Sequence, residues 1–357
     1  MPKVRVAPWR KVVRLSVVED WIAGAAPVAE VAAPTTPAAF AALLDTARPV
    51  VIRGLVSHWP AVAAAAQGSA ALAAYLRRYD GGRPLGLFAG APVIGGRFFY
   101  RDDMTGFNFE RGQILLPVLL DALVGAVDDP DPPALYAGSS TAEDHFPGWT
   151  RDHVLPLPVD QAKARLWIGN ASRVSAHFDM ACNVATVVAG RRRVVLFPPE
   201  QAANLYVGPL DMTMAGQPTS MVDLERPDLA RYPRFAAAQA AASVAHLEPG
   251  DAILIPTMWW HEIRARGPLN VLVNYWWTRG TPDAPFAALI HAILAVRDRP
   301  PAERAALRAW FDLYVFGDTA TAVADHLPSA SRGILGPPAP ERDARVRGYL
   351  RQILGGG

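Results

Sequence analysis

Short apolar runs, rich in β-branched and aromatic residues, dominate the middle of the chain. Between residues 161 and 281 these runs have strand length and end at turn residues, including Gly190 and Pro249-Gly250. Many short strands with few helices predict a barrel or a sandwich. Residues 207–242 interrupt the pattern with Pro, Met and Asp, and the length of this segment predicts a lid or a binding loop.

The flanking parts of the chain carry more helical spacing. Apolar residues recur with a helical period in six segments, which predicts helices at 36–46, 61–78, 113–127, 286–298, 302–316 and 341–354. Thr36 is the expected N-cap of the first helix. Strands are expected upstream of the barrel at 49–56, 84–93 and 97–103, and Gly95-Gly96 predicts a hairpin turn between the last two.

The chain has no internal repeat and no low-complexity linker, so a mainly β fold with flanking helices is favoured over separate domains. We predict α/β elements at 1–160, a catalytic barrel at 161–281 and a helical region at 282–357.

Composition excludes several classes of partner. The 357 residues are 51% hydrophobic with a net charge of +2, which is too small to indicate a nucleic acid partner. No run reaches the ~20 apolar residues of a membrane span, and the N-terminus lacks an apolar signal region. The single Cys182 suits a reducing compartment. A cytoplasmic location without membrane contact is expected.

A His-x-Asp triplet at the mouth of two apolar runs carries the first chemical signal. Residues i and i+2 of a strand share a face, so His177 and Asp179 point the same way. Together they are two thirds of a two-His-one-carboxylate iron site. His261 ends another β-rich run, behind Trp259 and Trp260, and is the candidate third ligand. A lone histidine is more often structural, and it is the combination that favours a metal.

The joint spacing of several segments resembles the JmjC-type cupin-like oxygenases. The branch it resembles includes the asparaginyl hydroxylase that inhibits hypoxia-inducible factor. The matching segments are WIG (167–169), HFD (177–179), Asn183, Gly190 with the basic run after it, LFPPEQ (196–201), NLY (204–206), PGDAILIPTMWWHEI (249–263) and VNYWW (273–277).

This resemblance implies a double-stranded β-helix, the cupin or jelly-roll barrel, that binds Fe(II) and 2-oxoglutarate and uses O₂. It implies that His177, Asp179 and His261 are the iron ligands. Asn183 and Asn274 match amide positions of the co-substrate pocket.

Three further site residues follow from the resemblance. Arg192 stands where the family has a lysine that pairs with the distal carboxylate of 2-oxoglutarate, and a guanidinium can bind a carboxylate as a fork. Tyr100 resembles a tyrosine that contacts the same carboxylate, and a core aromatic is the equal alternative. Trp276 matches an aromatic position beside the metal. Arg191 and Arg193 are expected on the opposite face of the strand, at a solvated edge.

The resemblance implies a dioxygenase that hydroxylates a protein or peptide side chain and forms succinate and CO₂. A hydroxylase of a small molecule or free amino acid has the same core and stays open. A non-catalytic metal- or ligand-binding cupin sensor is the rival from another class, and an O₂-independent cupin isomerase or zinc enzyme is a third. Histone demethylation is less favoured, because no zinc cluster or basic surface is evident. The aromatic C-terminal helices resemble a dimerisation element, which implies a homodimer.

Overall fold

The computed structural model describes residues 21–159, 162–279 and 285–355. The first 20 residues of the predicted N-terminal part, and the boundary predicted at 281–282, lie outside the described residues. The chain divides into two compact units, with the division after Thr278.

The first unit is built on thirteen strands within the described residues, with short helices before and between them. In chain order the elements are β1 Ala26–Pro27, β2 Ala29–Val31, α1 Pro37–Asp45, β3 Val50–Ile52, α2 Pro60–Ala66, α3 Ser69–Arg77, β4 Leu85–Gly90, β5 Arg97–Phe98, β6 Phe109–Ile114, α4 Leu116–Gly125, β7 Ala134–Thr141, α5 Ala142–His145, α6 Trp149–Asp152, β8 Lys163–Gly169, β9 Ser172–His177, β10 Cys182–Phe197, α7 Phe235–Ala240, β11 Ser243–Leu247, β12 Ala252–Ile255 and β13 Trp260–Trp277.

Two long antiparallel strands, β10 and β13, organise the sheet. They pair with each other along nearly their whole length. The first half of β10 continues through β12 to β3, and its second half pairs with β11. On the other side, the second half of β13 continues through β8 to β7, and its first half pairs with β9. Two sheets that share such strands form the jelly-roll barrel, so the predicted mainly β fold with flanking helices is confirmed.

Apolar side chains fill both faces of the sheet. The inner face holds a core of short and branched residues, among them Val187, Val194, Leu196, Leu247, Ile253 and Leu272. The outer face packs against α1–α4 and the region around α6, with Trp59 and Trp149 fully buried there. Each fully buried large side chain contributes about 1.5–3 kcal/mol by leaving water. The central strands are apolar on both faces because both faces are covered.

The predicted first helix is confirmed, and two other helix predictions needed correction. Thr36 caps α1, because its hydroxyl accepts a hydrogen bond from Ala39 N at 3.1 Å. The helix predicted over 61–78 is broken into α2 and α3 at Gly68, whose φ of +107° ends one helix before the next begins. The helix predicted from 113 starts at Leu116, since the residues before it form β6 against β4.

The predicted hairpin at Gly95-Gly96 is wrong. Strand β5 runs parallel to β9 instead of turning back onto β4. Gly96 has a φ of +76°, and a Cβ there would lie 2.6 Å from Ala171 O. Glycine is therefore needed at Gly96 for a close approach to the chain that enters β9.

Gly190 lies within a strand and does not form the predicted turn. Strand β10 continues through it, and its register with β13 shifts between Val187 and Ala189 and again between Ala189 and Arg191. The φ of Gly190 is +72°, and the space that a Cβ would occupy is taken by the Asn270 side chain. Gly190 therefore lies in a β-bulge that bends β10.

The second unit is helical, as predicted. It contains α8 Pro285–Ala292, α9 Pro301–Phe311 and α10 Pro340–Leu354. A π-helical turn extends each of the first two helices, at Ile293–Arg297 and Asp312–Phe316. No helix in the described residues of either unit is long and apolar enough to cross a membrane.

Replacing Gly190 with alanine tests the bulge. The substituted residue must hold a left-handed φ and displace Asn270, so we expect the free energy of unfolding to fall by about 2–4 kcal/mol. Gly86→Ala in β4 is the control, because its added Cβ meets no atom within 4 Å. Urea denaturation of both variants measures the difference. Equal stabilities would show that the bulge does not require glycine.

Candidate metal centre

Three side chains converge at one end of the barrel. His177 is the last residue of β9, Asp179 follows it by two positions, and His261 is the second residue of β13. The two histidines are partners in the β9–β13 register. Their possible ligand atoms and those of Asp179 all lie within 4.8 Å of one another. The His261 Nε2 to Asp179 Oδ2 distance is 3.7 Å.

Backbone carbonyls orient both imidazoles. The Nδ1 of His177 donates to Ser175 O at 2.9 Å, and the Nδ1 of His261 donates to Trp259 O at 3.0 Å. Each acceptor lies two residues before its histidine. A proton on Nδ1 leaves the Nε2 lone pair for a metal, which is the usual arrangement of metal-binding histidines.

Burial keeps His261 neutral. The side chain is 1% exposed, and this desolvation, together with the neighbouring His177, lowers the pKa of His261 to about 4. A histidine must be unprotonated to bind a metal, so at neutral pH no proton competes at this nitrogen.

Two polar side chains hold the carboxylate of Asp179. Its Oδ2 accepts hydrogen bonds from Trp276 Nε1 at 3.1 Å and from Asn183 Nδ2 at 3.2 Å. Its backbone oxygen accepts from the amide of Met258 at 2.9 Å. Two neutral imidazoles and one positioned carboxylate on one face are the donor set that suits Fe(II) and leaves positions open for other ligands. The residues present therefore fit the metal that the resemblance implies.

The hydrogen bonds continue from Asp179 into the barrel. Asn274 Nδ2 donates to Asn183 Oδ1 at 3.4 Å, and Trp167 Nε1 donates to Asn274 Oδ1 at 2.8 Å. The structure thus brings Asn183, Asn274 and Trp276 together beside the triad. Trp167 belongs to the WIG motif, but nothing in the sequence indicates its bond to Asn274.

Arg192 lies on the inner face of β10 and is 5% exposed. Its Nη1 donates to Asn270 Oδ1, and among the described residues it forms no ion pair. Desolvation lowers the pKa of Arg192 to about 10, which still leaves it charged at neutral pH. A buried cation whose only side-chain partner is an amide is costly unless an anion joins it. Asn270, which holds the guanidinium, was not found from the sequence.

Tyr100 is buried but lies outside this hydrogen-bond network. Its hydroxyl donates to Met212 O at 2.6 Å, in the segment predicted to be a lid or binding loop. Arg111 donates to the next two carbonyls, Thr213 O and Met214 O. Further along the same segment, Thr219 forms an isolated bridge with His177. These bonds attach the segment to the barrel beside the triad, so it forms a wall of the site.

The prediction of a solvated edge is wrong for Arg193. This side chain is 6% exposed and pairs with Glu225 and with Glu262, the latter at 3.4 Å. Arg173 and Asp223 form a bidentate pair on the same outer face. Arg193 does point to the face opposite Arg192, as predicted. Residues 223–225 cover this part of the sheet, however, and the periodicity of the sequence does not reveal contacts with a distant segment. Arg191 is exposed and pairs with Glu248 at 2.9 Å.

Comparison with known proteins agrees with this geometry. The cupin-like domain family matches the chain over residues 36–282. The chain belongs to this family. The resemblance to JmjC-type cupin-like oxygenases is thereby confirmed, and the match begins well upstream of the predicted barrel.

Three curated relatives illustrate the similarity. The chain is 38% identical to Lysine-specific demethylase JMJ31 of Arabidopsis thaliana over 112 residues, which is 31% of this chain and 20% of that protein. It is 26% identical to Lysine-specific demethylase 8 of Xenopus tropicalis over 239 residues, which is 65% of this chain and 48% of that protein. It is 37% identical to tRNA wybutosine-synthesizing protein 5 of Danio rerio over 101 residues, 28% of either chain. The matches span less than half of each relative.

The depressed pKa of His261 predicts a pH dependence of stability in the metal-free protein. Its pKa is about 4 in the folded protein against an ordinary value of 6.5, so the unfolded chain binds the extra proton first as the pH falls. We expect full stability above pH 6.5 and a loss of about 3 kcal/mol as the pH falls to 4. His261→Gln removes the titrating imidazole. The free energy of urea unfolding is measured against pH for both proteins, and the difference between the two profiles is the contribution of His261. Parallel profiles would contradict the prediction.

Proposed function

We propose that this protein is an Fe(II)- and 2-oxoglutarate-dependent dioxygenase that hydroxylates a side chain of a protein or peptide. The observation that carries the proposal is the triad, in which His177, Asp179 and His261 converge and the Nδ1 atom of each histidine is bonded to a backbone carbonyl, so that Nε2 is left for a metal. O₂ would be consumed, and succinate and CO₂ would form.

The three side chains would hold Fe(II), which supplies oxygen activation when it is bound. The protein contributes position and charge. The backbone acceptors fix the two imidazoles, and Trp276 and Asn183 fix the Asp179 carboxylate, so the donor set is organised before a ligand arrives. His261 is buried and neutral, and it therefore remains a ligand without first losing a proton.

Arg192 is the proposed anchor of the distal carboxylate of 2-oxoglutarate. Its positive charge has no carboxylate partner among the described residues, and a bound dicarboxylate would neutralise it. Asn270 holds one nitrogen of the guanidinium and so sets the direction of the remaining donors. Asn183 and Asn274 project from the same inner face of the sheet as Arg192, next to the triad. The geometry gives less support to Tyr100 as a contact of this carboxylate, because its hydroxyl already donates to Met212 O.

A protein or peptide substrate is preferred because the segment from Val207 to Met221 forms a wall beside His177 against which an extended chain could lie. A small molecule or a free amino acid is the alternative substrate. The named relatives include demethylases and a tRNA-modifying protein, so the family core serves several substrates. A metal- or ligand-binding sensor is the non-catalytic alternative, and it would not need an O₂-dependent reaction.

A homodimer formed through the second unit is part of this proposal. Large apolar side chains are exposed on its helices, including Leu294 at 81%, Trp310 at 64% and Phe316 at 73%. Exposed apolar surface of this kind is typical of an interface between subunits. We propose that a second copy of the chain covers it.

Substituting the triad tests the reaction. Asp179→Ala and His177→Ala each remove one of three ligands, so we expect Fe(II) affinity and succinate formation to fall by at least about 100-fold. Asp121→Ala is the control, since this acid is exposed and pairs with Arg77 on the protein surface. The measurements are succinate formation with a peptide library and the absorption band of the anaerobic Fe(II)–2-oxoglutarate complex. Full activity in either triad variant would overturn the proposal, and wild-type protein without the band would favour the sensor.

Light scattering tests the dimer. The wild-type chain should have the mass of two copies, and the double variant Trp310→Glu/Phe316→Glu should have the mass of one, because charge at both positions opposes apolar contact. Val93→Glu is the matched control, an apolar residue in the first unit that is 62% exposed. A monomeric wild-type protein would contradict the proposal.

A further inference from the structure

A second cation, Arg165, lies close to the triad. It is in β8 directly opposite Asn274 of β13, so both side chains project from the inner face of the sheet. Its guanidinium carbon is 5.6 Å from the centre of the Trp276 ring. The indole nitrogen of the same Trp276 donates to Asp179. One aromatic ring thus separates Arg165 from a candidate metal ligand.

Like Arg192, Arg165 lies on the inner face and has no carboxylate partner among the described residues. On the outer face Arg173 pairs with Asp223, and Arg193 and Arg264 pair with Glu225. Arg165 instead uses Nη1 to donate to the carbonyl and hydroxyl oxygens of Ser139, both at 3.2 Å. The side chain is only half-buried, so a ligand can reach it.

The donors that remain on Arg165 form a fork. With Nη1 bonded to Ser139, no described residue accepts a hydrogen bond from Nε or Nη2. These two N–H groups point from the same edge of the guanidinium and match the two oxygens of a carboxylate. A half-buried fork of this kind beside the triad, without an acceptor among the described residues, suits an anionic ligand.

The backbone of β7 is bent where it holds Arg165. The register of β7 with β8 shifts between Ala137 and Ser140, and Ser139 adopts a φ of +56°. A left-handed non-glycine residue costs about 1–3 kcal/mol and persists where other contacts require it. The preceding residue, Gly138, packs against the Trp167 ring, and a Cβ at Gly138 would lie 2.5 Å from an atom of that ring. The bulge directs both oxygens of Ser139 at the guanidinium and so sets its orientation.

The two interior arginines differ in depth. Arg192 is 5% exposed and is held by the Asn270 side chain, whereas Arg165 is half-buried beside Trp276. If 2-oxoglutarate takes the deeper cation, as proposed above, the more exposed one is left for the substrate. The two cations at different depths therefore suit two different anionic ligands.

We infer that Arg165 is a specificity residue that binds a carboxylate of the substrate beside the metal centre. The inference rests on the proposed function and narrows it to substrates with an acidic group near the hydroxylated carbon. That group is the side chain of Asp or Glu in a peptide, or the carboxylate of a free acidic amino acid. The two sources share the same chemistry and are separated by experiment.

Calorimetric titration tests the inference on the whole chain, loaded anaerobically with Fe(II) and 2-oxoglutarate. The probes are capped alanine hexapeptides with one central Asp, Glu, Asn or Gln, and the four free amino acids. We expect an acidic probe to bind at least about tenfold more tightly than its amide counterpart. Arg165→Met should bring this ratio close to one, because it removes the charge that distinguishes a carboxylate from an amide, and Arg165→Lys should restore part of it.

Two controls separate this role from others. Lys163→Met removes a positive charge two residues away that is paired with Glu143 at 2.7 Å, and it should leave the ratio unchanged. The absorption band of the Fe(II)–2-oxoglutarate complex should form in Arg165→Met and be weakened in Arg192→Met. A preference confined to peptides or to free amino acids identifies the source of the carboxylate.

Three results would overturn the inference. They are the absence of an acidic preference in the wild type, an equal preference in Arg165→Met, and an equal loss of the preference in Lys163→Met. If the wild-type protein forms no absorption band, the proposed function itself fails. If the band forms but no acidic preference is found, only the role of Arg165 is refuted.

Discussion

The antiparallel pairing of β10 with β13 is the constraint on which the rest of the structure depends. It places His261 opposite Leu196 and Asn274 opposite Ala185. The other edge of β10 pairs with β11 and β12, and the other edge of β13 pairs with β8 and β9. Because facing residues of paired strands share a side, this register assigns the inner-face site residues of β10 and β13, and the pairing of β13 with β8 and β9 then places Arg165 and His177. A slip of one residue would move the interior polar groups to the helical layer, which is packed with apolar side chains.

Charge is distributed unequally across the sheet. On the outer face, arginines and acids neutralise one another in pairs such as Arg173 with Asp223. On the inner face, Arg192 and Arg165 meet only neutral oxygens from the described residues. An uncompensated cation is tolerated only where a ligand or solvent can reach it, and this is why both arginines are proposed as binding residues. Arg192 is the proposed anchor of 2-oxoglutarate, and Arg165 is the residue inferred to bind a carboxylate of the substrate.

Much of the architecture could be predicted locally. The strand alternation, the Thr36 cap, the C-terminal helices and the His-x-Asp triplet all depend on near neighbours in sequence, and the structure agrees with each. The failures share a cause. The local pattern predicts a hairpin at Gly96 and a turn at Gly190, although each glycine serves a close approach to a distant segment. The burial of Arg193 likewise depends on Glu225 and Glu262, which are remote in the chain.

The sequence by itself determined the type of fold and the three candidate metal ligands, because these depend on residue type and on the position of each residue along its strand. The position of the candidate anchor, Arg192, followed from the resemblance to the family. Only the tertiary structure decided which side chains the site residues bond to. Asn270 against Arg192, Trp167 against Asn274 and Ser139 against Arg165 each join residues 26 to 107 positions apart. Such pairs form only after distant strands take up one register, and a local pattern does not contain that information.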